Sequence, residues 1–155
     1  PPPLEDTDLV MRVFSDRGQS LVASPRLIEK LGAPRHPDDL QVWPSLGVGL
    51  PQQSYAWTLF GPDDAVATVN HTPRFVTTDM TALRDAATAG VGVVQLPLLV
   101  LGKQLEDGCL VKVLPDWTPR REIIHAVFPS RRGMLPSVRM LLDYLAERFA
   151  AINDD

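Results

Sequence analysis

The stretch from Phe75 to Leu114 constrains this chain more than any other. Phe75-Val76-Thr77 reads as a short strand running into a helix start, where Thr78-Asp79 can cap the first turn. Met80, Leu83, Ala86 and Ala87 follow at helical spacing, and Gly90 ends the helix. Val91–Leu96 is apolar at nearly every position, the pattern of a strand covered on both faces, as in a parallel sheet. Pro97 then opens a short helix through Leu98, Leu101 and Leu105, and Asp107-Gly108 turns into the strand Leu110–Leu114. A β-α-β-α-β unit of this kind belongs to an open α/β sheet.

The flanking pieces are compatible with that unit. Leu9–Phe14 reads as a strand after a Pro-rich, acidic lead-in at 1–8, and Gln19–Ala23 is a second short apolar run. Ser24-Pro25 opens a helix through Leu27, Ile28 and Leu31, which stops at Gly32. From Leu40 the pattern turns strand-like through Val42, Trp43, Leu46 and Val48. A Gly49–Ser54 loop leads to the strand Tyr55–Phe60, the turn Gly61–Asp64 and a returning strand Ala65–Asn70. Ile123–Phe128 reads as another strand. Residues 135–152 form an amphipathic helix with Val138, Leu141, Leu142, Leu145, Phe149 and Ile152 on its apolar side.

Composition narrows the function classes. The chain has 155 residues, 45% of them hydrophobic and 22% charged, the balance of a globular domain. Its net charge of −4 argues against direct nucleic-acid binding, which needs a basic face to neutralise phosphates. A single cysteine, Cys109, allows no internal disulfide and reads as a small core residue in a reducing compartment. No apolar run reaches the ~18 residues of a membrane span, and no stretch of the sequence reads as a basic-then-apolar leader before a cleavage site.

Catalytic and metal chemistry find little support. His36, His71 and His125 are far apart in sequence and lack cysteine or carboxylate partners at ligand spacing, so no metal is expected. His125 begins a strand and reads as a buried structural histidine. Nothing matches a Gly-x-Ser-x-Gly elbow, and Gly90-x-Gly92 follows a helix instead of opening one, unlike a dinucleotide fingerprint. No cofactor and no enzymatic activity are expected. Arg131-Arg132 reads as a solvated turn.

Four stretches together carry a resemblance: LVASPRLIEKLGAPRHPDDL (21–40), TTDMTALRDAATAGVGVVQLP (77–97), LEDGCLVKVLPDW (105–117) and HAVFPSRRGMLPSVRMLLDYLAERF (125–149). In this order and spacing the chain resembles the effector-binding domain of LysR-type transcription regulators over nearly its whole length. The resemblance implies a two-lobed α/β domain with central mixed sheets, like the periplasmic binding proteins, its first lobe incomplete. Residues 1–23 would belong to the first lobe and a crossover strand, 24–122 to the second lobe, and 123–155 to the return strand and C-terminal helix of the first. A complete family member also begins with a helix-turn-helix and linker helix, which this sequence lacks.

The same resemblance implies a small, anionic effector in the inter-lobe cleft. The helix starts at Ser24 and at Thr77-Thr78 would face that cleft and offer free N–H groups. Gly49, Leu50 and Gln53 of the loop, and Pro97 at the end of the buried strand, would line it. The family implies a cytoplasmic homodimer or homotetramer that reaches DNA and RNA polymerase only through the full-length protein, with no membrane partner. A solute-binding protein of a transport system is the alternative on the same fold.

Overall fold

The computed structural model describes residues 9–15, 18–120, 124–129 and 135–153. The expected Arg131-Arg132 turn, the lead-in at 1–8 and the side chain of His125 lie outside what it describes. The chain divides into two compact units, Pro1–Arg17 with Glu122–Asp155, and Gly18–Arg121.

In the first unit, β1 (Leu9–Ser15) pairs antiparallel with β10 (Ile124–Pro129), Val10 opposite Phe128 and Arg12 opposite Ala126. Helix α4 (Pro136–Asn153) packs against β1. Its apolar stripe reads as a core face from periodicity, yet only Leu142 is buried among the described residues, while Leu141 is 55% exposed. One two-stranded ribbon is too narrow to cover a stripe of that width.

The second unit is built on β2 (Gln19–Ala23), α1 (Pro25–Leu31), β3 (Leu46–Val48), β4 (Tyr55–Phe60), β5 (Val66–His71), β6 (Phe75–Thr77), α2 (Met80–Thr88), β7 (Val94–Pro97), α3 (Leu98–Asp107), β8 (Val111–Lys112) and β9 (Thr118–Pro119). β3 and β6 run parallel, Leu46 opposite Phe75 and Val48 opposite Thr77. A parallel bridge between Ser45 and Val93 joins them to β7, with Leu46 N–H donating to Val93 O at 2.9 Å. β7 and β8 flank β2, both antiparallel to it.

The strand order is therefore β6-β3-β7-β2-β8. All the strands of the expected β-α-β-α-β unit point one way, but none of them are neighbours. β3 is inserted between β6 and β7, and the reversed β2 between β7 and β8. β2 lies inside this sheet and belongs to the unit Gly18–Arg121.

Alternation along β2 explains why its residues are buried on both faces. Leu21 and Ala23 face a cluster with Leu27, Trp43, Trp57, Leu59, Val69 and Val113. Val22 faces the other, with Leu83 and Ala87 of α2, Leu101 of α3, and Val94, Leu96 and Leu110. The hairpin β4–β5, paired from Tyr55–His71 to Phe60–Val66, roofs the first cluster with its inward Trp57, Leu59 and Val69, and β9 extends it.

Two local expectations are corrected. Residues 37–42 form a 3-10 helix instead of a strand, capped by His36, whose Nδ1 accepts from Asp38 N–H. The Asp39 carboxylate accepts from the N–H groups of Arg35 (2.9 Å) and His36 (3.1 Å). Leu40 faces the core, and Val42 is 88% exposed. The His-Pro-Asp-Asp turn chemistry thus outweighs the apolar run that follows. Cys109 is exposed, because the left-handed Gly108 (φ +78) turns the chain at the surface before β8 begins.

Candidate functional site

Strands β3, β6 and β7 run parallel, so their C-terminal ends share one edge of the sheet. Open α/β sheets bind ligands at such an edge, where side chains and backbone groups of several loops converge. Six of the seven residues expected to touch an effector lie here. Gly49 follows β3 and donates its N–H to Thr77 O at 3.1 Å. Thr77 ends β6, Thr78 is exposed between β6 and the α2 cap Asp79, and Pro97 ends β7 level with Gly49 by the Ser45–Val93 register.

The loop after β3 is tied down from within. Tyr55 OH donates to Leu50 O at 2.6 Å, and Gln53 Oε1 accepts from Leu50 N–H at 3.2 Å. Gly49 sits at φ +147, and a Cβ there would stand 2.6 Å from Gln53 Oε1 and 2.8 Å from Tyr55 OH, so only glycine fits this folded loop. Leu50 remains 58% exposed. Nothing in the spacing of the sequence ties Tyr55 to this loop, and its role is visible only in three dimensions.

Ser24 does not join the other six. Val22 pairs with Val94 and Ala23 with Val111, so β2 carries Ser24 towards the opposite edge of the sheet. There its Oγ lies against Gly90, past the C-terminal end of α2, whereas Thr78 stands before the N-terminal end. The nine residues of α2 put ~13 Å between those ends. Ser24 is 3% exposed, and its hydroxyl accepts from Leu27 N–H at 3.2 Å as the cap of α1. The expectation that the two helix starts face a common gap is therefore corrected. An antiparallel strand placed the motif at the wrong end of the sheet.

The start of α2 also differs from the anion socket expected there. Asp79 Oδ1 accepts from the N–H groups of Thr81 (3.0 Å) and Ala82 (3.1 Å), and Thr77 Oγ1 accepts from Asp79 N–H at 3.1 Å. The protein's own carboxylate occupies the place where a ligand anion would bind.

A second polar group sits at the other end of β3, where β3 begins and β5 ends. Ser45, 1% exposed, is 2.7 Å through its Oγ from His71 Nδ1, and the His71 ring stacks on Trp57 at 3.7 Å between centroids. Burial lowers the His71 pKa from 6.5 to about 4, so the imidazole is neutral at physiological pH. Ser45 and His71 are 26 positions apart, and the sequence shows no sign of their pairing.

Residues 1–150 match the family model for the LysR substrate binding domain, and the chain belongs to that family. Its mixed α/β fold is that of the regulatory domains of LysR-type regulators, which are two-lobed and resemble the periplasmic binding proteins. Among curated relatives, an HTH-type transcriptional regulator of Haemophilus influenzae is 32% identical over 137 residues, covering 84% of this chain and 45% of that protein. The full-length virulence activator AphB of Vibrio cholerae is 26% identical with a TM-score of 0.78, over 92% of this chain and 48% of that one. The regulatory domain of CrgA from Neisseria meningitidis shares the fold, with a TM-score of 0.75 at 24% identity over 94% of this chain and 71% of that one. The chain spans about half the length of the curated relatives it matches. Among the described residues, no helix is long and apolar enough to cross a membrane.

Proposed function

We propose that this chain is the effector-sensing part of a DNA-binding transcription regulator, cytoplasmic and without enzymatic activity. A small metabolite would bind at the rim formed by Gly49, Leu50, Gln53, Thr77, Thr78 and Pro97. The observation that carries this reading is the convergence of the C-terminal ends of β3, β6 and β7 with that loop and the α2 start. Family membership supplies the sensing role. It also disfavours the transport alternative, which shares only the fold.

Ser24 is left out of the proposed rim, since it is buried as a cap at the far edge of the sheet. With Asp79 filling the α2 start, an anionic effector would need its counter-charge from elsewhere. The rim itself offers hydroxyls and backbone amides, which suit a small polar metabolite. In the intact protein, such a ligand shifts a homodimer or homotetramer only insofar as it prefers one arrangement over another, since equal affinity changes nothing. That preference would then reach DNA and RNA polymerase through the rest of the protein.

Thermal-shift screening of the intact protein, with small acids and their neutral amides side by side, tests the reading. A metabolite that stabilises the protein should lose most of its shift in a Thr78→Val variant. An unchanged shift removes Thr78 from the rim.

A further inference from the structure

Beyond the rim, a groove of about 610 Å³ opens within the second unit beside the β4–β5 hairpin. Its walls include Tyr55, Pro73 and Val76 on the apolar side and Asn70, His71 and Thr72 on the polar side. It shares Gln53 with the proposed rim, and no residue lining it is an Asp, Glu, Lys or Arg.

The Ser45–His71 pair determines what this groove presents. Among the described residues, the Ser45 hydroxyl has one side-chain partner, His71 Nδ1 at 2.7 Å, and Ser45 is 1% exposed. A buried hydroxyl whose proton has no acceptor is costly, so the proton is donated to Nδ1. That places the ring hydrogen on Nε2. Nε2 has no hydrogen-bond partner among the described residues, and it is not one of the buried unpartnered atoms, so it reaches solvent. Trp57, stacked at 3.7 Å and nearly coplanar at 18°, fixes the ring plane. His71, which lines this uncharged groove, thus holds an oriented, neutral N–H donor with apolar wall residues nearby.

We propose that this groove is a second ligand site, taking a small, uncharged molecule with a hydrogen-bond-accepting carbonyl or ether on an apolar body. The acceptor meets His71 Nε2–H, and the apolar body lies along Tyr55, Pro73 and Val76. A charged ligand finds no counter-ion in the walls and loses its hydration on entry.

The test uses NMR of the imidazole nitrogens with benzamide as probe and benzoate as its charged counterpart. At neutral pH the wild-type protein should show the His71 hydrogen on Nε2, and finding it on Nδ1 overturns the proposal without any variant. Benzamide should shift the His71 and Tyr55 resonances saturably, and benzoate at equal concentration should not. His71→Phe, which keeps a ring on Trp57, should weaken benzamide binding about fivefold or more, the worth of one hydrogen bond. Equal binding by benzoate, no shift with benzamide, or full affinity in His71→Phe would each refute the site. The rim is read separately by Thr78→Val, so either reading can fail without the other.

Discussion

Acid should destabilise this protein through His71 in a way that one substitution can isolate. The ring is half-buried, stacked on Trp57 and bonded to the buried Ser45 hydroxyl, and its pKa falls from 6.5 to about 4 through loss of hydration. Because the folded-state value is the lower one, the unfolded chain binds a proton below about pH 6.5 that the native state refuses. Stability is therefore complete above that pH, declines as pH falls, and the loss is finished below about pH 4. The gap between the two values corresponds to roughly 3.4 kcal/mol at most. Solvent reaching the exposed half of the ring reduces this to about 1–2 kcal/mol. Protonation at Nδ1 also removes the only side-chain acceptor of Ser45 among the described residues. Urea unfolding at about pH 7.5 and about pH 4.5, on wild type and His71→Phe, measures the effect. The wild type should lose about 1–2 kcal/mol more than the variant over that interval, and His36 and His125 cancel in the comparison. Equal losses in the two proteins would refute the argument.

Other substitutions probe the sheet that carries the proposed rim. Gly92→Ala would place a Cβ 2.8 Å from Pro44 O, backbone against backbone where β3 meets β7. A loss of about 1–3 kcal/mol in chemical denaturation is expected, and a neutral result would mean the Ser45–Val93 bridge is not as close as described. Leu83→Ala removes a fully buried side chain between α2 and the sheet and should cost about 3 kcal/mol by the same measurement. Asp79→Ala deletes the cap that holds Thr81 and Ala82 N–H groups, and a drop of about 1 kcal/mol in thermal or urea unfolding should follow.

Local chemistry accounts for most of the secondary structure. The helix at Met80–Thr88 lies where its capping Asp and apolar spacing put it, and the hairpin from Tyr55 to His71 follows its turn and its alternating Trp57 and Leu59. The short apolar run Leu21-Val22-Ala23 became a strand buried on both faces. These features depend on neighbours within a few residues, which is the range over which sequence patterns are informative. Local pattern misled where two signals competed, as at Leu40–Trp43, where capping of the His36 turn won over apolar content.

What the sequence alone determined, then, is most of the elements and the family they make up. Which end of the sheet each helix start occupies was decided by tertiary structure. Pairing direction is a relation between distant segments, so the reversed β2 took Ser24 away from Thr78 with no mark in its own residues. The meeting of Ser45 with His71, and of Tyr55 with the Leu50 carbonyl, has the same origin. Such contacts exist only once packing has brought separate strands together, and they, more than composition, set the chemistry that the surface offers.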